Sequence, residues 1–149
     1  MKYVNGDLFT SEFKYIAHGC NTKGVMGSGF AKIIKQKYPG AYLKYNRFCE
    51  PYLGYSYDAL GKTVEYVDEE TNVTIFNMIT QANFGSNPDV RYVSYDAIAD
   101  CFDFVNKNYP GIDLAIPKIG AGLGNGNWDI IEKIIEGSSP KLNITVFVL

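Results

Sequence analysis

The chain has 149 residues, 46% of them hydrophobic, and a formal net charge of -2 with its single histidine neutral. This length is typical of one domain, and the hydrophobic content suffices for a buried core, which excludes a disordered chain. The nearly balanced charge excludes the basic surface of a general nucleic-acid-binding protein.

Strands and helices alternate in the first half of the chain. A strand ends at Asn5-Gly6, and a first helix ends before Pro39-Gly40, because proline cannot continue a helix. A loop is expected around Tyr52 to Tyr57, where three tyrosines either stack on a ligand or, as we favour, fill an irregular part of the core. The predicted elements are strands at 2–4 and 15–18 and helices at about 28–38 and 41–51.

The second half continues this alternation. Two β-rich runs flank a polar segment and predict a hairpin, and a loop at 81–88 follows it. The long third helix has Val93 on its buried face, and Gly137 is expected to cap the fourth. The predicted elements are strands at 62–67, 73–79, 114–116 and 143–149 and helices at about 91–108 and from 128. Such a pattern predicts an α/β sandwich with a mostly parallel sheet.

Two glycine-rich loops each follow a strand and precede a helix. The first runs from His18 to Gly29, and the second from Pro117 to Asn127. Both loops are expected at the carboxyl-terminal edge of the sheet, where ligands of α/β proteins bind. A pair of helix N-termini there would suit a diphosphate, and two independent structural turns are the alternative.

Three cysteines, Cys20, Cys49 and Cys101, are spaced too widely for a disulfide framework or a zinc site, so we expect reduced thiols and no metal. Cys20 is better interpreted as a packed small side chain than as a nucleophile. The N-terminus lacks an apolar run of signal-peptide length, and no segment has the apolar length of a membrane helix. We therefore expect a soluble cytoplasmic protein without a cofactor.

Several motifs occur together in a specific order. They are Val4-Asn5-Gly6-Asp7-Leu8, then His18-Gly19-Cys20-Asn21 with 24–31, then Ile116 to Gly124 followed by Trp128, and the terminal 145–149. In these motifs and their spacing the chain resembles the macrodomains, the ADP-ribose-binding family, along nearly its whole length. The resemblance implies one three-layer α/β/α macrodomain over residues 1–149, with a mixed, mostly parallel six-stranded sheet.

The resemblance also implies a site for the adenine. Asp7 would accept a hydrogen bond from the adenine amino group, and the backbone N–H of Leu8 would reach a ring nitrogen. Phe147 would pack on the base. A turn carboxylate is the alternative for Asp7, and an ordinary strand core residue is the alternative for Phe147.

The two glycine loops would hold the rest of the ligand. By resemblance, backbone N–H groups of the second loop wrap the phosphates, Gly27 to Gly29 close on the distal phosphate and ribose, and Asn21 holds the ribose hydroxyls. Gln81 is a further candidate for phosphate contact. The implied substrate-binding residues are Asp7, Leu8, Asn21, Gly24, Val25, Met26, Gly27, Ser28, Gly29, Gln81, Ile119, Gly120, Ala121, Gly122, Leu123, Gly124 and Phe147.

Three functions remain open within the family. The segment 80–85 and the His-x-Cys-Asn motif resemble the branch that hydrolyses the terminal phosphate of ADP-ribose 1″-phosphate. His18 and Asn21 would then be catalytic, with His18 activating water or protonating the leaving oxygen. A buried histidine bonded to backbone is the alternative, which the alternation along the second strand favours.

A non-catalytic ADP-ribose-binding module is the second function. The third is a hydrolase of ADP-ribosylated protein or nucleic acid, which resembles terminal ADP-ribose glycohydrolase. Gln81 counts against it, because it stands where those hydrolases have a lysine and cannot form a covalent adduct. The expected partner is ADP-ribose or its 1″-phosphate, with ADP-ribosylated macromolecules as a further class. We expect a monomer that binds neither membranes nor nucleic acid in general.

Overall fold

A computed structural model describes residues 1–54 and 57–149, and this part of the chain contains six strands and four α-helices. The strands are β1 Lys2–Asn5, β2 Tyr15–Asn21, β3 Thr63–Asp68, β4 Val73–Gln81, β5 Asp113–Ile116 and β6 Asn143–Val148. The helices are α1 Gly29–Lys37, α2 Pro39–Cys49, α3 Tyr95–Asn108 and α4 Trp128–Ser138, with 3-10 turns at Leu8–Thr10 and Glu50–Tyr52.

The strands form one sheet in the order β1-β6-β5-β2-β4-β3. All neighbouring pairs are parallel except β3 and β4, which form the antiparallel hairpin expected from the sequence. Five strand ends, those of β1, β2, β4, β5 and β6, therefore meet at one edge. The predicted mixed, mostly parallel six-stranded sheet is confirmed.

Apolar side chains fill a layer on each face of the sheet. One layer packs α1 and α2 against the sheet through Ile34 and Tyr45, and the other packs α3 and α4 through Phe102 and Ile131; all four side chains are fully buried. This arrangement confirms the three-layer α/β/α architecture. Within the described residues, no helix combines the length and apolar character needed to span a bilayer.

Strand β2 is longer than the sequence predicts. It continues past His18 to Asn21, because β4 runs alongside it and completes its hydrogen-bond ladder. The register shifts between Cys20 and Asn21, so that Thr80 of β4 is left as an extra residue at the sheet edge. Such irregularities change the direction of the strand and of its side chains next to ligand sites.

The predicted start of α3 at residue 91 is wrong. The helix begins at Tyr95, where the Ser94 side chain accepts a hydrogen bond from the Ala97 N–H. Val93 is buried but precedes the helix, and its N–H donates to Gly124 O at 3.1 Å. These tertiary bonds hold residues 91–94 extended where their own propensities would permit a helix.

Two smaller expectations also need correction. Gly137 does not cap α4, because the helix continues to Ser138 and Ser139 occupies the capping position, with its N–H bonded to Ile135 O. The predicted aromatic loop begins with Tyr52 in a 3-10 turn, and its residues 55 and 56 lie outside the described residues.

Candidate functional site

A cleft of about 720 Å³ opens at the carboxyl-terminal edge of the sheet, between the loops that follow β2 and β5. Two glycine-rich loops thus face each other across one cleft, as the sequence predicts. The predicted site residues that line it are His18, Asn21, Val25, Gly27, Ser28, Gly29, Gln81, Ile119, Gly120, Gly122, Leu123 and Gly124.

Asn21 organises the first loop. Its Oδ1 accepts hydrogen bonds from the N–H groups of Lys23 at 2.9 Å and Val25 at 3.4 Å, and its Nδ2 donates to Val25 O at 2.9 Å. The amide side chain thus replaces the ladder partners that the chain loses when it leaves the sheet. One Nδ2 hydrogen remains for a ligand in the cleft.

The N-terminus of α1 opens into the cleft. Ser28 is its N-cap residue, but the serine side chain makes no capping hydrogen bond. The N–H groups of Gly27, Ser28 and Gly29 donate no hydrogen bond to any described residue. Uncapped N–H groups at the positive end of a helix favour an anion such as phosphate.

The second loop is braced so that some of its N–H groups remain available. Gly120 has a φ of 79° and its carbonyl accepts the Gly126 N–H at 2.7 Å. The Ala121 N–H donates to Lys118 O at 3.2 Å, so its predicted contact with phosphate is not supported. The N–H groups of Gly122 to Gly124 donate to no described residue and border the cleft.

The N-terminus of α4 does not complement that of α1. Asn127 caps α4 through its side chain, which accepts hydrogen bonds from the N–H groups of Asp129 and Ile130 at 2.9 and 3.4 Å. The expectation of a pair of open helix N-termini is therefore wrong. One open helix end and one loop of backbone donors face the cleft instead.

Leu123 reaches across the cleft from the second loop. A Cβ at Gly29 would lie 3.1 Å from Leu123 Cδ1, so the leucine side chain rests against the glycine backbone at the start of α1. Gly29 itself has a φ of 61°, which favours glycine. This apolar contact joins the two loops across the cleft.

His18 lines the cleft, but its side chain is buried. It is 1% exposed, and its Nε2 lies 2.7 Å from Oδ1 of Asn77. Since Asn77 Nδ2 donates to the carbonyls of Ala41 and Val64, Oδ1 must be the acceptor and Nε2 carries the proton. Burial lowers the pKa of His18 to about 4, with the bond to Asn77 opposing the shift.

This geometry supports a buried neutral histidine rather than an acid–base group. Its partner is a side chain, not the backbone that the sequence interpretation named.

The lining of the cleft offers few titratable groups. Among the described lining residues, Lys118 is the only one with a permanent charge, and none is a carboxylate. Burial raises the pKa of the Cys20 thiol well above its ordinary value, which supports a packed side chain there rather than a nucleophile. All three cysteines are free and buried. No cluster of metal-ligating side chains occurs among residues 1–54 and 57–149.

Several lining residues were not predicted as site residues. Gly19 forms the floor, where a Cβ would lie 2.9 Å from Thr80 Oγ1 and 3.2 Å from Ile119 Cγ2. Its position between the end of β4 and the second glycine-rich loop is not visible in a single sequence, although a glycine inside a strand is itself a signal of close approach. The others are Cys20, Phe30, Ala31, Thr80, Phe84, Gly85, Ser86, Pro117 and Lys118.

Six predicted residues do not line this cleft: Asp7, Leu8, Gly24, Met26, Ala121 and Phe147. Asp7 follows β1 at the same sheet edge and accepts the Phe9 N–H at 2.9 Å. Phe147 packs edge-on against Phe13 with ring centroids 5.6 Å apart. The adenine site assigned to Asp7, Leu8 and Phe147 stays a prediction, while Met26 is buried in the core.

A larger cavity, about 1130 Å³, lies at the opposite edge of the sheet, where Tyr15, Asp113 and Asn143 begin their strands. Neither glycine-rich loop contributes to it. The donors described above converge only on the smaller cleft, which is therefore the candidate site.

Comparison with known proteins finds relatives that match this chain over nearly its whole length. An uncharacterized 17.5 kDa protein of Enterobacteria phage T4 is 29% identical, and the match covers 98% of this chain and 94% of the phage protein. The ADP-ribose 1″-phosphate phosphatase of Candida albicans is 26% identical over 100% of this chain and 99% of its own length. No family model matches the sequence.

Solved structures of macrodomain proteins superpose on nearly the whole chain. A macrodomain protein of Streptomyces coelicolor superposes with a TM-score of 0.76 at 26% identity, covering 99% of this chain and 98% of that one. Thermosipho africanus DarTG, solved in complex with ADP-ribose, has a TM-score of 0.81 at 21% identity, covering 99% of this chain and 41% of that one. At 21% identity, the likeness to Thermosipho africanus DarTG shows only that the two proteins share a fold. The chain therefore has the macrodomain fold and is similar in sequence to macrodomain proteins along its length.

Proposed function

We propose that this macrodomain binds ADP-ribose 1″-phosphate in the cleft and hydrolyses its terminal phosphate. The observation that carries the proposal is the uncapped N-terminus of α1, which faces the free backbone donors of the second loop across the cleft. Two separate groups of donors suit a ligand with phosphate at two places. The name of the Candida albicans relative, matched over its whole length, supports the same substrate.

The ligand would lie along the sheet edge. Its diphosphate would contact the N–H groups of Gly122 to Gly124, and its terminal phosphate would contact those of Gly27 to Gly29. The adenine would lie toward Asp7 and Phe147, beyond the ends of β1 and β6. Asn21 would donate its remaining Nδ2 hydrogen to a ribose oxygen, since its Oδ1 already accepts from the loop.

The proposed reaction is direct attack of water on the terminal phosphorus. The new P–O bond forms as the bond between phosphorus and the ribose oxygen breaks, and the products are ADP-ribose and inorganic phosphate. Of the two water protons, one stays on the phosphate and the other ends on the ribose hydroxyl. The N–H groups at α1 would stabilise the charge of the transferring phosphoryl group.

Gln81 is suited to orient the attacking water. Its Nε2 donates to the Asn83 carbonyl at 2.8 Å, which fixes the amide plane. Its Oε1 makes no hydrogen bond to a described residue and is available to accept one from water. A glutamine can orient water in phosphoryl transfer without itself titrating. In this proposal His18 takes no proton.

A non-catalytic ADP-ribose-binding module is the second candidate. It is favoured by the absence of a carboxylate among the described lining residues and by the hydrogen-bonded, neutral His18. An ADP-ribosyl hydrolase is the third candidate. It would need the lysine that Gln81 replaces, and Lys118 lies instead with its Nζ 6.0 Å from the ring centroid of Trp128.

One titration separates these functions. The protein is titrated with ADP-ribose and with ADP-ribose 1″-phosphate while phosphate release is followed. Binding with release of phosphate supports the phosphatase, and binding without release supports the module. ADP-ribosylated protein and DNA test the hydrolase in parallel. Binding of none of these ligands would refute an ADP-ribose site.

Other expectations stay predictions. That residues 1–149 act as a single domain and as a monomer is checked by sedimentation of the purified protein. Cytoplasmic localisation is checked by fractionation of cells that express it.

A further inference from the structure

The loop that contains Asn21 rests on a buried face of α2, a helix that does not line the cleft. The hydroxyl of Tyr45 donates to the Asn21 carbonyl oxygen at 2.5 Å and also lies 2.9 Å from Asn21 Oδ1. Tyr45 is fully buried, and burial raises the pKa of its hydroxyl far above the ordinary value. The hydroxyl therefore stays protonated and remains a hydrogen-bond donor to Asn21.

A second contact from the same helix face holds Gly24. Asn46 Nδ2 donates to Gly24 O at 3.0 Å. A Cβ at Gly24 would lie 3.2 Å from that nitrogen and 3.5 Å from Cys49 Cβ, and the φ of Gly24 is 74°. Gly24 is therefore required for packing against α2. This explains why a residue predicted to bind ligand does not line the cleft.

We propose that Tyr45 is a positioning residue for the ligand site, acting through Asn21. The proposal rests on the proposed function, since it assigns the ligand-facing group of Asn21. The N–H groups of Lys23 and Val25 donate to Asn21 Oδ1, and the Tyr45 hydroxyl, which donates to the Asn21 carbonyl oxygen, lies 2.9 Å from the same Oδ1. These contacts occupy Oδ1 and hold the amide in place, so that the second Nδ2 hydrogen is the group left for a ligand.

Tyr45 thereby restricts what the cleft accepts at this point. A fixed N–H selects a ligand atom with a lone pair, such as a ribose or phosphate oxygen, and disfavours a group that can only donate. Loss of the Tyr45 hydroxyl would let the Asn21 amide and its loop sample other orientations. Ligand binding would then require the loop to be ordered again.

The test compares Tyr45→Phe with Tyr42→Phe. Tyr42 lies three residues earlier on α2 and packs its ring beneath Lys35, with Nζ 4.2 Å from the ring centroid. We expect Tyr45→Phe to shift the NMR resonances of the Asn21 side-chain amide and of the Lys23 and Val25 N–H groups in ligand-free protein. It should weaken ADP-ribose binding by about three- to tenfold, the equivalent of one lost hydrogen bond. Tyr42→Phe should change neither.

The outcomes separate this proposal from the proposed function. If Tyr45→Phe lowers thermal stability but leaves the Asn21 resonances and the affinity unchanged, Tyr45 is merely structural and the proposal is overturned. If wild type fails to bind ADP-ribose, the proposed function fails, and the Asn21 resonances still decide whether Tyr45 orients the amide. Should Tyr45→Phe not fold, Asn46→Ala removes the second anchor from a less buried side chain, with the same readouts and expectations.

Discussion

The Nε2 nitrogen of His18 lies 2.7 Å from the Oδ1 oxygen of Asn77, and this bond commits the only histidine of the chain to the core. Asn77 in turn bonds the carbonyls of Ala41 and Val64, so it ties α2 and β3 to the central strands. Protonation of His18 would place a charge in this buried network. His18 therefore links the stability of the fold to pH.

Stability should fall as pH drops through the window set by His18. Burial lowers the pKa of His18 from the 6.5 of an ordinary histidine to about 4 in the folded protein, so between these pH values the unfolded state binds more protons. Above pH 6.5 the ionisation of His18 does not affect the free energy of unfolding, and below it the free energy of unfolding falls progressively. At pH 4 the loss caused by His18 is about 3 kcal/mol.

His18→Gln isolates this contribution, because the variant keeps every carboxylate and loses only the imidazole. At pH 7.5 it should be less stable by about 1–3 kcal/mol, since the glutamine amide can still donate to Asn77 Oδ1 but fills the buried space of the imidazole ring less well. Urea denaturation of both proteins from pH 7.5 to 4.5 should show this difference shrinking on acidification. A difference independent of pH would mean that folding does not shift the ionisation of His18.

The sequence predicted where the two glycine-rich loops lie, but it did not predict the hydrogen-bond partner of His18. Glycine spacing between strand and helix patterns is a local signal, and it correctly predicted that residues 18–29 and 117–127 flank one cleft. The partner of His18 is Asn77, 59 residues away. No local pattern indicates such a pair, so the alternation along β2 favoured a buried imidazole but could not identify Asn77 as its partner.

The difference between local patterns and distant hydrogen-bond partners also explains why the predicted end of β2 and start of α3 were wrong. β2 continues to Asn21 because β4 is available to pair with it, and α3 starts late because the Ser94 N–H donates to Thr80 O at 2.7 Å. Both are tertiary hydrogen bonds that override local propensity. The loss of Ala121 as a donor has a similar cause, since the turn around Lys118 consumes its N–H.

Gly120 and Gly122 should respond differently to alanine. Gly120 has a φ of 79°, and a Cβ there would lie 2.8 Å from Val93 Cγ2, whereas a Cβ at Gly122 would meet nothing within 4 Å. Gly120→Ala should cost about 2–4 kcal/mol of stability from backbone strain and overlap. Gly122→Ala should stay within about 0.5 kcal/mol of wild type.

Urea denaturation measures both variants, and ADP-ribose binding provides a second readout. Gly122→Ala keeps its N–H and should retain its affinity for the ligand. Equal stability of the two variants would contradict the strained conformation assigned to Gly120.

Leu123 should control how fast a ligand leaves the cleft. Its side chain rests against Gly29 on the opposite loop, yet it is 58% exposed and adds little to the core. Leu123→Ala should increase the dissociation rate of ADP-ribose about fivefold, the equivalent of about 1 kcal/mol, with little change in melting temperature. The control is Ile130→Ala on α4, since Ile130 is 43% exposed and does not line the cleft. Equal dissociation rates for the two variants would show that the contact does not retain the ligand.

Gln81 should affect turnover more than binding. If Oε1 orients the attacking water, Gln81→Ala loses an interaction made with water and not with the bound substrate. The kcat for phosphate release should then fall by about 10–100-fold while KM changes less than about threefold. Steady-state kinetics with ADP-ribose 1″-phosphate measure both constants.

The neighbouring Asn83 supplies the matched control. It anchors Gln81 Nε2 through its backbone carbonyl, which Asn83→Ala retains, so this variant should keep the kcat of wild type. Gln81→Glu preserves the shape but adds a negative charge beside the phosphate, and should therefore raise KM as well as lower kcat. If Gln81→Ala instead raises KM at unchanged kcat, Gln81 binds the substrate in its ground state and another group must orient the water, because only an interaction confined to the transition state lowers kcat alone.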